Sequence, residues 1–304
     1  MAQPKIVVII GPTASGKSRL AIKLAKKFNG EIVSADSRQI YRGMDIGTAK
    51  PTKKEMGSIP HHLINIKNPS EDYSVAEYKK DATIAIRKIL RLGKLPILVG
   101  GTGLYIRAVI DNLDIPAVPA DPKLRNNLET QLGEKGLDYL FKKLVALDPE
   151  AQYIVDPQNP RRVIRALEVA IKTGRPFTAQ RKTGKKIFDA CIIGIQIPVS
   201  KLRRNIDGRV DKMIEDGLIE EVQKLVKKYD GLPKAFDAIG YREIIDYLNK
   251  KITLAEAVGL IKKNTWRYAK RQMTWFKRDE RIRWVKNKAE AMRFVNDLFP
   301  RPKE

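Results

Sequence analysis

Residues 11–18, Gly11-Pro12-Thr13-Ala14-Ser15-Gly16-Lys17-Ser18, fit the pattern G-x-x-x-x-G-K-[ST]. The apolar run 6–10 before them reads as a buried strand, and 19–28 after them as a helix. That context turns a pattern into a physical claim. Glycines let backbone N–H groups turn inward on an oxyanion, and the helix N-terminus adds a partial positive charge. Lys17 supplies a full charge, and the Ser18 hydroxyl stands where a Mg²⁺ ion would be held. The loop says where a phosphate sits. It does not say which compound carries that phosphate or what becomes of it.

The rest of the chain fixes the sheet. Apolar strands are expected at 5–10, 31–34 and 95–99. The capping box Ser74-Val75-Ala76-Glu77 opens a helix that runs to about residue 92. Alternating strands and helices predict a parallel sheet covered on both faces. The pattern changes over 114–189. Pro116, Pro119 and Pro122 mark a linker, followed by helices at 122–135, 137–147 and 160–173, the last with Asn159 as N-cap and Gly174 past its end. A strand reading returns at 190–197. Helices follow at 200–216, 218–229, 241–249 and 253–279, the last opened by the capping box Thr253–Glu256, and then a short strand at 281–285. The expectation is an α/β fold: a P-loop NTPase-like parallel sheet core from 1–113 and 190–304, an inserted all-helical domain at 114–189, and a helical C-terminal region.

Composition excludes several classes. The 304 residues suffice for two domains or one domain with an insertion. No apolar run approaches the roughly 18–20 residues of a spanning helix, so no membrane role is expected. The first strand begins too early for a signal peptide. Cys191 is the single cysteine and His61 and His62 the only histidines, too few for a disulfide or a Cys/His metal cluster. A cytosolic, soluble monomer is expected.

The formal net charge is +24, from 59 basic and 35 acidic residues. A small metabolite does not require that excess, whereas a nucleic-acid partner does. The charge belongs to the folded body: +10 in 1–113, +4 in 114–190 and +10 in 191–304. Within 262–288 there are 11 basic and 2 acidic residues. Lys263, Arg267, Lys270 and Lys277 fall on one helical face and read as phosphate contacts, while Trp266, Tyr268, Trp275 and Phe276 read as a core stripe.

Three further features surround the loop. Asp36-Ser37-Arg38-Gln39-Ile40-Tyr41 follows the second strand at its carboxyl end, the edge that carries ligands in doubly wound sheets. Asp36 there can be a Mg²⁺ ligand, a general base or the acceptor of an Asx turn, and Gln39 has the chemistry to read an adenine edge. The strand at 95–99 ends in Gly100-Gly101-Thr102, not in the acid usual for nucleotide hydrolysis, which suggests a small-residue loop that lets a substrate come close. Arg209 is either a second cation on the phosphates or the partner of a nearby acid.

Together these motifs resemble the bacterial-type tRNA dimethylallyltransferases (isopentenyltransferases). The resemblance rests on 11–18, the run from Asp36 to Pro51, 100–105, Ala120-Asp121-Pro122, Asn159-Pro160-Arg161-Arg162, Gly240-Tyr241-Arg242 and 270–276. It implies transfer of a dimethylallyl group from dimethylallyl diphosphate to N6 of adenosine-37, beside the anticodon of tRNAs that read codons starting with U. The loop would hold diphosphate as leaving group, with Mg²⁺ and without ATP consumption. Asp36 would accept the amine proton, Thr102 would position Asp36 or the amine, and Lys17 and Arg209 would stabilise the departing diphosphate. The tRNA anticodon stem-loop would meet Asp36, Ser37, Arg38, Gln39, Thr102, Arg125, Gln158, Asn159, Pro160, Arg161, Arg162, Gly240, Tyr241 and Arg242, with Lys270 added from the basic helix. The rival readings are a P-loop kinase acting on a small metabolite and an RNA-stimulated ATPase or RNA-binding module.

Overall fold

The computed structural model describes residues 3–115, 118, 121–180 and 184–299. Pro116, Pro119 and Ala120 lie outside them. The chain divides into two compact units, 1–110 with 187–304, and 111–186.

The first unit is built on six parallel strands: β1 (Lys5–Ile10), β2 (Gly30–Ala35), β3 (His61–His62), β4 (Leu95–Gly100), β5 (Asp189–Ile195) and β6 (Arg283–Val285), in the order β3-β2-β4-β1-β5-β6. The period of two in β1 is spent on both faces. Ile6, Val8 and Ile10 enter one core cluster, and Val7 and Ile9 enter the other. The first face is covered by α3 (Val75–Arg91) and α4 (Gly103–Ile110), with the rings of Tyr78 and Tyr105 stacked 3.9 Å apart. The second is covered by α1 (Lys17–Lys27), whose Leu20, Ala21, Leu24 and Ala25 form its buried stripe, and by α12 (Lys288–Leu298). Between β2 and β3 lies only a four-residue helix, α2 (Lys53–Met56).

The second unit contains α5 (Pro122–Leu147), α6 (Ala151–Ile154) and α7 (Pro160–Thr173) around their own apolar cluster. Gly136 has non-helical φ/ψ and breaks α5 in two, which is the reading of separate helices at 122–135 and 137–147. Asn159 caps α7 by accepting from Arg162 N–H, and Gly174 ends it in the left-handed region. The unit boundaries fall three residues before the expected 114–189 at each end. The cause is local: α4 carries the chain as far as Ile110 in the main core, and Phe188 returns to that core just before β5.

The C-terminal helices are α8 (Val199–Glu215), α9 (Leu218–Lys228), α10 (Tyr241–Leu248) and α11 (Leu254–Phe276). They enclose a cluster with Ile40, Tyr41 and Met44 from the segment after β2. Both expected capping boxes, at Ser74 and Thr253, are formed. Among the described residues no helix is long and apolar enough to cross a membrane. The chain leaves β1 and passes over β4 to make β2, so the carboxyl ends of β1 and β4 flank the point where strand order reverses. That is where such sheets bind ligands.

Candidate active site

The phosphate loop stands at this switch point. Positive φ values at Gly11, Ala14 and Gly16 curl it (148°, 60° and 89°). Gly16 immediately precedes α1. The inward turn of N–H groups is selective. Ser15 N–H bonds Pro12 O, and Thr13 N–H bonds Gln272 Oε1 at 2.8 Å. The first turn of α1, from Lys17, follows Gly16 and can present its N–H groups to an anion.

Lys17 Nζ donates to Pro12 O at 2.7 Å. Burial and then the Arg209 guanidinium pull its pKa down to about 7, against an upward pull from Asp36. An ammonium so poorly solvated and so close to a second cation is stabilised by an incoming polyanion. Arg209 sits on α8, where Nη1 lies 3.4 Å from Thr13 Oγ1, and burial lowers its pKa as well. One turn earlier Asn205 Nδ2 donates to Ala14 O at 3.0 Å. Arg209 is thus a second cation at the loop, with no ion pair to an acid among the described residues.

Asp36 follows β2 on the same edge. Its Oδ1 accepts from Arg38 N–H (2.8 Å) and Gln39 N–H (3.3 Å), which is an Asx turn. Oδ2 makes no hydrogen bond among the described residues. The turn therefore orients the carboxylate and leaves one oxygen for chemistry. Thr102 Oγ1 accepts from Ser37 N–H at 3.1 Å, tying the loop after β4 to the residue beside Asp36. The Tyr268 phenol on α11 lies beside Thr102 and Gln272, and burial pushes its pKa up to about 12.

The glycines after β4 have another explanation than room for a substrate. A Cβ on Gly100 would strike the Ala35 backbone, one on Gly101 the Gln272 amide, and one on Gly103 the Trp275 indole. The protein itself fills the space. Gln272, 5% exposed, donates from Nε2 to Gly101 O at 2.9 Å while accepting from Thr13. Sequence reasoning passed over it, although it lies inside the 270–276 motif.

The expected RNA-contacting residues divide. Arg38 is half-buried, with Nη1 3.3 Å from Ala235 O. Gln39 turns its amide to Thr48 O (3.3 Å) and Ala49 O (3.4 Å), so its donors are engaged within the chain. Tyr241 is corrected outright. It is 0% exposed, packs in the helical core and bonds Glu221 through its hydroxyl. Gly240 beside it is buried too, and only Arg242 of the three is exposed. Glu221 also accepts from Asp45, Ile46 and Gly47 N–H, so the Tyr241 side chain is spent on anchoring the segment after β2.

In the second unit, Gln158, Pro160, Arg161 and Arg162 are exposed around the start of α7, and Asn159 is its cap. Arg125 is held by the fully buried Glu168 at 2.7 Å, alongside Arg165. On α11, Lys263, Arg267 and Lys270 are exposed, as is Lys277 at its C-cap. Trp275 and Phe276 belong to the main core, and Trp266 packs against Ala14, Leu202, Ile206 and Ala269.

A phosphate loop at the switch point of a parallel sheet, with two cations on the loop and a carboxylate on the same edge, defines a P-loop-type core built to act on a phosphorylated compound. The chain belongs to the IPP transferase family, whose model matches residues 39–279. It is 47% identical over 296 residues to the tRNA dimethylallyltransferase of Carboxydothermus hydrogenoformans, covering 96% of this chain and 95% of that one. Its fold matches the crystal structure of the full-length tRNA isopentenylpyrophosphate transferase from Bacillus halodurans with a TM-score of 0.72 at 42% identity, over 98% and 96% of the two chains. A eukaryotic dimethylallyltransferase acting on tRNA matches with a TM-score of 0.78 at 29% identity, over 99% of this chain and 81% of that one.

Proposed function

We propose that this chain transfers a dimethylallyl group from dimethylallyl diphosphate to N6 of adenosine-37, next to the anticodon of tRNAs reading codons that start with U, and releases diphosphate. The observation that carries the reading is the shared sheet edge: two desolvated cations, Lys17 and Arg209, hold the phosphate loop, and Asp36 stands close enough to oppose part of the fall in the Lys17 pKa. The C–N bond forms at the allylic carbon as the C–O bond to diphosphate breaks. Lys17, Arg209 and the α1 N-terminus take up the charge that develops on the leaving oxygen. The amine nitrogen gains positive charge as it attacks, and the unbonded oxygen of Asp36 accepts its proton. Thr102, through Ser37, holds the backbone from which Asp36 projects.

The residues also fit Mg²⁺. The Ser18 side chain is exposed and without a hydrogen bond, and the described residues contain no cluster of three His, Cys, Asp or Glu that could cage a metal. Magnesium keeps several waters and takes substrate phosphates as ligands, and the hydroxyl that ends a phosphate loop is placed to join them. Ser18 would hold the ion, which when bound would neutralise part of the diphosphate charge. The basic faces of α11 and of the α7 N-terminus support RNA binding. The reading carries with it a monomer working in the cytoplasm.

The test is direct. The protein is incubated with Mg²⁺, unmodified tRNA and labelled dimethylallyl diphosphate, and separately with ATP in its place. Label should enter the tRNA and ATP should persist. Consumption of ATP with no label in RNA would sink the reading. Asp36→Ala should lower the transfer rate by about 10²–10⁴-fold while tRNA affinity is kept. An equal collapse in affinity would make Asp36 a binding residue.

A further inference from the structure

Gln272 has one of the few buried polar side chains in the molecule, and both ends of its amide are engaged across the chain. Oε1 accepts from Thr13 N–H at 2.8 Å, and Nε2 donates to Gly101 O at 2.9 Å. Thr13 is the loop residue also reached by Arg209, and Gly101 immediately precedes Thr102, which grips Ser37 beside Asp36. The amide is therefore the direct strut between the half of the site that holds diphosphate and the half that holds the carboxylate.

Its setting is built for a fixed length. Any side chain on Gly101 would displace the amide nitrogen. Tyr268, one turn earlier on α11, lies beside Thr102 and Gln272, and Trp275, three residues later, packs where Gly103 leaves room. One face of α11 thus packs against the loop after β4, and of its three residues Gln272 also holds the phosphate loop. Gln272 itself is buried behind the loops and contributes no group to a reacting atom.

We propose that Gln272 is a positioning residue that sets the separation between the leaving diphosphate and the carboxylate that takes the amine proton. The proposal rests on the transferase reading above. A misplacement of about 1 Å in such a site costs on the order of 100-fold in rate without a new contact to either substrate. Gln272→Met keeps the length and apolar stem and removes both hydrogen bonds. Gly101→Ala keeps the glutamine and pushes it off the carbonyl.

Three quantities are measured on each variant and on the parent: affinity for inorganic diphosphate, affinity for anticodon stem-loop RNA, and the single-turnover transfer rate at saturating substrates. Q272M should retain both affinities within about threefold and lose about 30–100-fold in rate. G101A should show the same split. The double variant should lose far less than the product of the two, because both act through one strut. An unchanged rate in Q272M overturns the proposal. So does a loss of both affinities in step with the rate, or failure of both variants to fold, since each assigns Gln272 to the core alone. A parent protein that transfers no label would instead remove the transferase reading, so the two failures are distinct.

Discussion

Lys17 concentrates the physics of the site in one side chain. Its pKa of about 7 arises from burial and from Arg209, opposed by Asp36. A bound diphosphate holds the ammonium charged, so binding above pH 7 must draw a proton from solvent. Below pH 7 the side chain is already charged and no uptake is needed. The dissociation constant for inorganic diphosphate should therefore rise by up to about tenfold per pH unit above 7 beyond any rise seen in Lys17→Met, since one unit corresponds to about 1.4 kcal/mol. Calorimetry in buffers of different ionisation enthalpy checks this, and parallel curves for the two proteins would contradict it. Lys17 was identifiable from its place in the loop motif. Its lowered pKa was not, because that comes from tertiary burial and then from Arg209, 192 positions away in the chain.

At the scale of elements, α11 has two faces with separate work. Inward, Gln272 and Trp275 pack against the loops of the site, with the Tyr268 phenol buried beside Thr102. Outward, Lys263, Arg267, Lys270 and Lys277 are exposed, with Lys270 Nζ 5.2 Å from the Trp266 ring. Removing Lys270 and Lys277 together should weaken RNA binding and lower the slope of log affinity against log salt by about 1.4–1.8, the value for two phosphate contacts. Fluorescence anisotropy with the stem-loop RNA over a salt series measures it, and an unchanged slope would assign this face to solvent. The helical spacing of the cations was enough to place them on one face. The inner face was half legible: aromatic spacing indicated core, but nothing in the pattern said that Gln272 would meet Thr13 and Gly101.

At the scale of the molecule, the inserted unit carries its own electrostatic anchor. Glu168 is fully buried and accepts from Arg165, Arg125 and the Asp121 N–H. Burial alone would raise its pKa, but these hydrogen bonds outweigh it and the net shift is downward. A depressed carboxylate stabilises the fold above its unfolded value of 4.5, and that stability is lost as pH falls through the lower folded value. Glu168→Gln should cost about 1–3 kcal/mol near neutrality, and the difference from the parent should shrink below pH 4.5. Urea unfolding at several pH values tests this, and a pH-independent difference would contradict the linkage. The same contacts recast Arg125 as a residue that steadies the unit, whatever it also offers to RNA.

Local chemistry was the part written in the sequence itself. Apolar period, caps and glycines set the strands, most helices, the phosphate loop and the helical insertion, because each depends on residues within a few positions of one another. The four-residue α2, the two-residue β3 and the final α12 left too weak a period to read. Tertiary structure alone decided that Arg209 and Gln272 join the phosphate loop, why the glycines at 100, 101 and 103 are needed, and that Tyr241 is core. The physical reason is distance along the chain. Thr13 and Gln272 are separated by 259 positions and meet at 2.8 Å, so their contact depends on packing rather than on any local pattern.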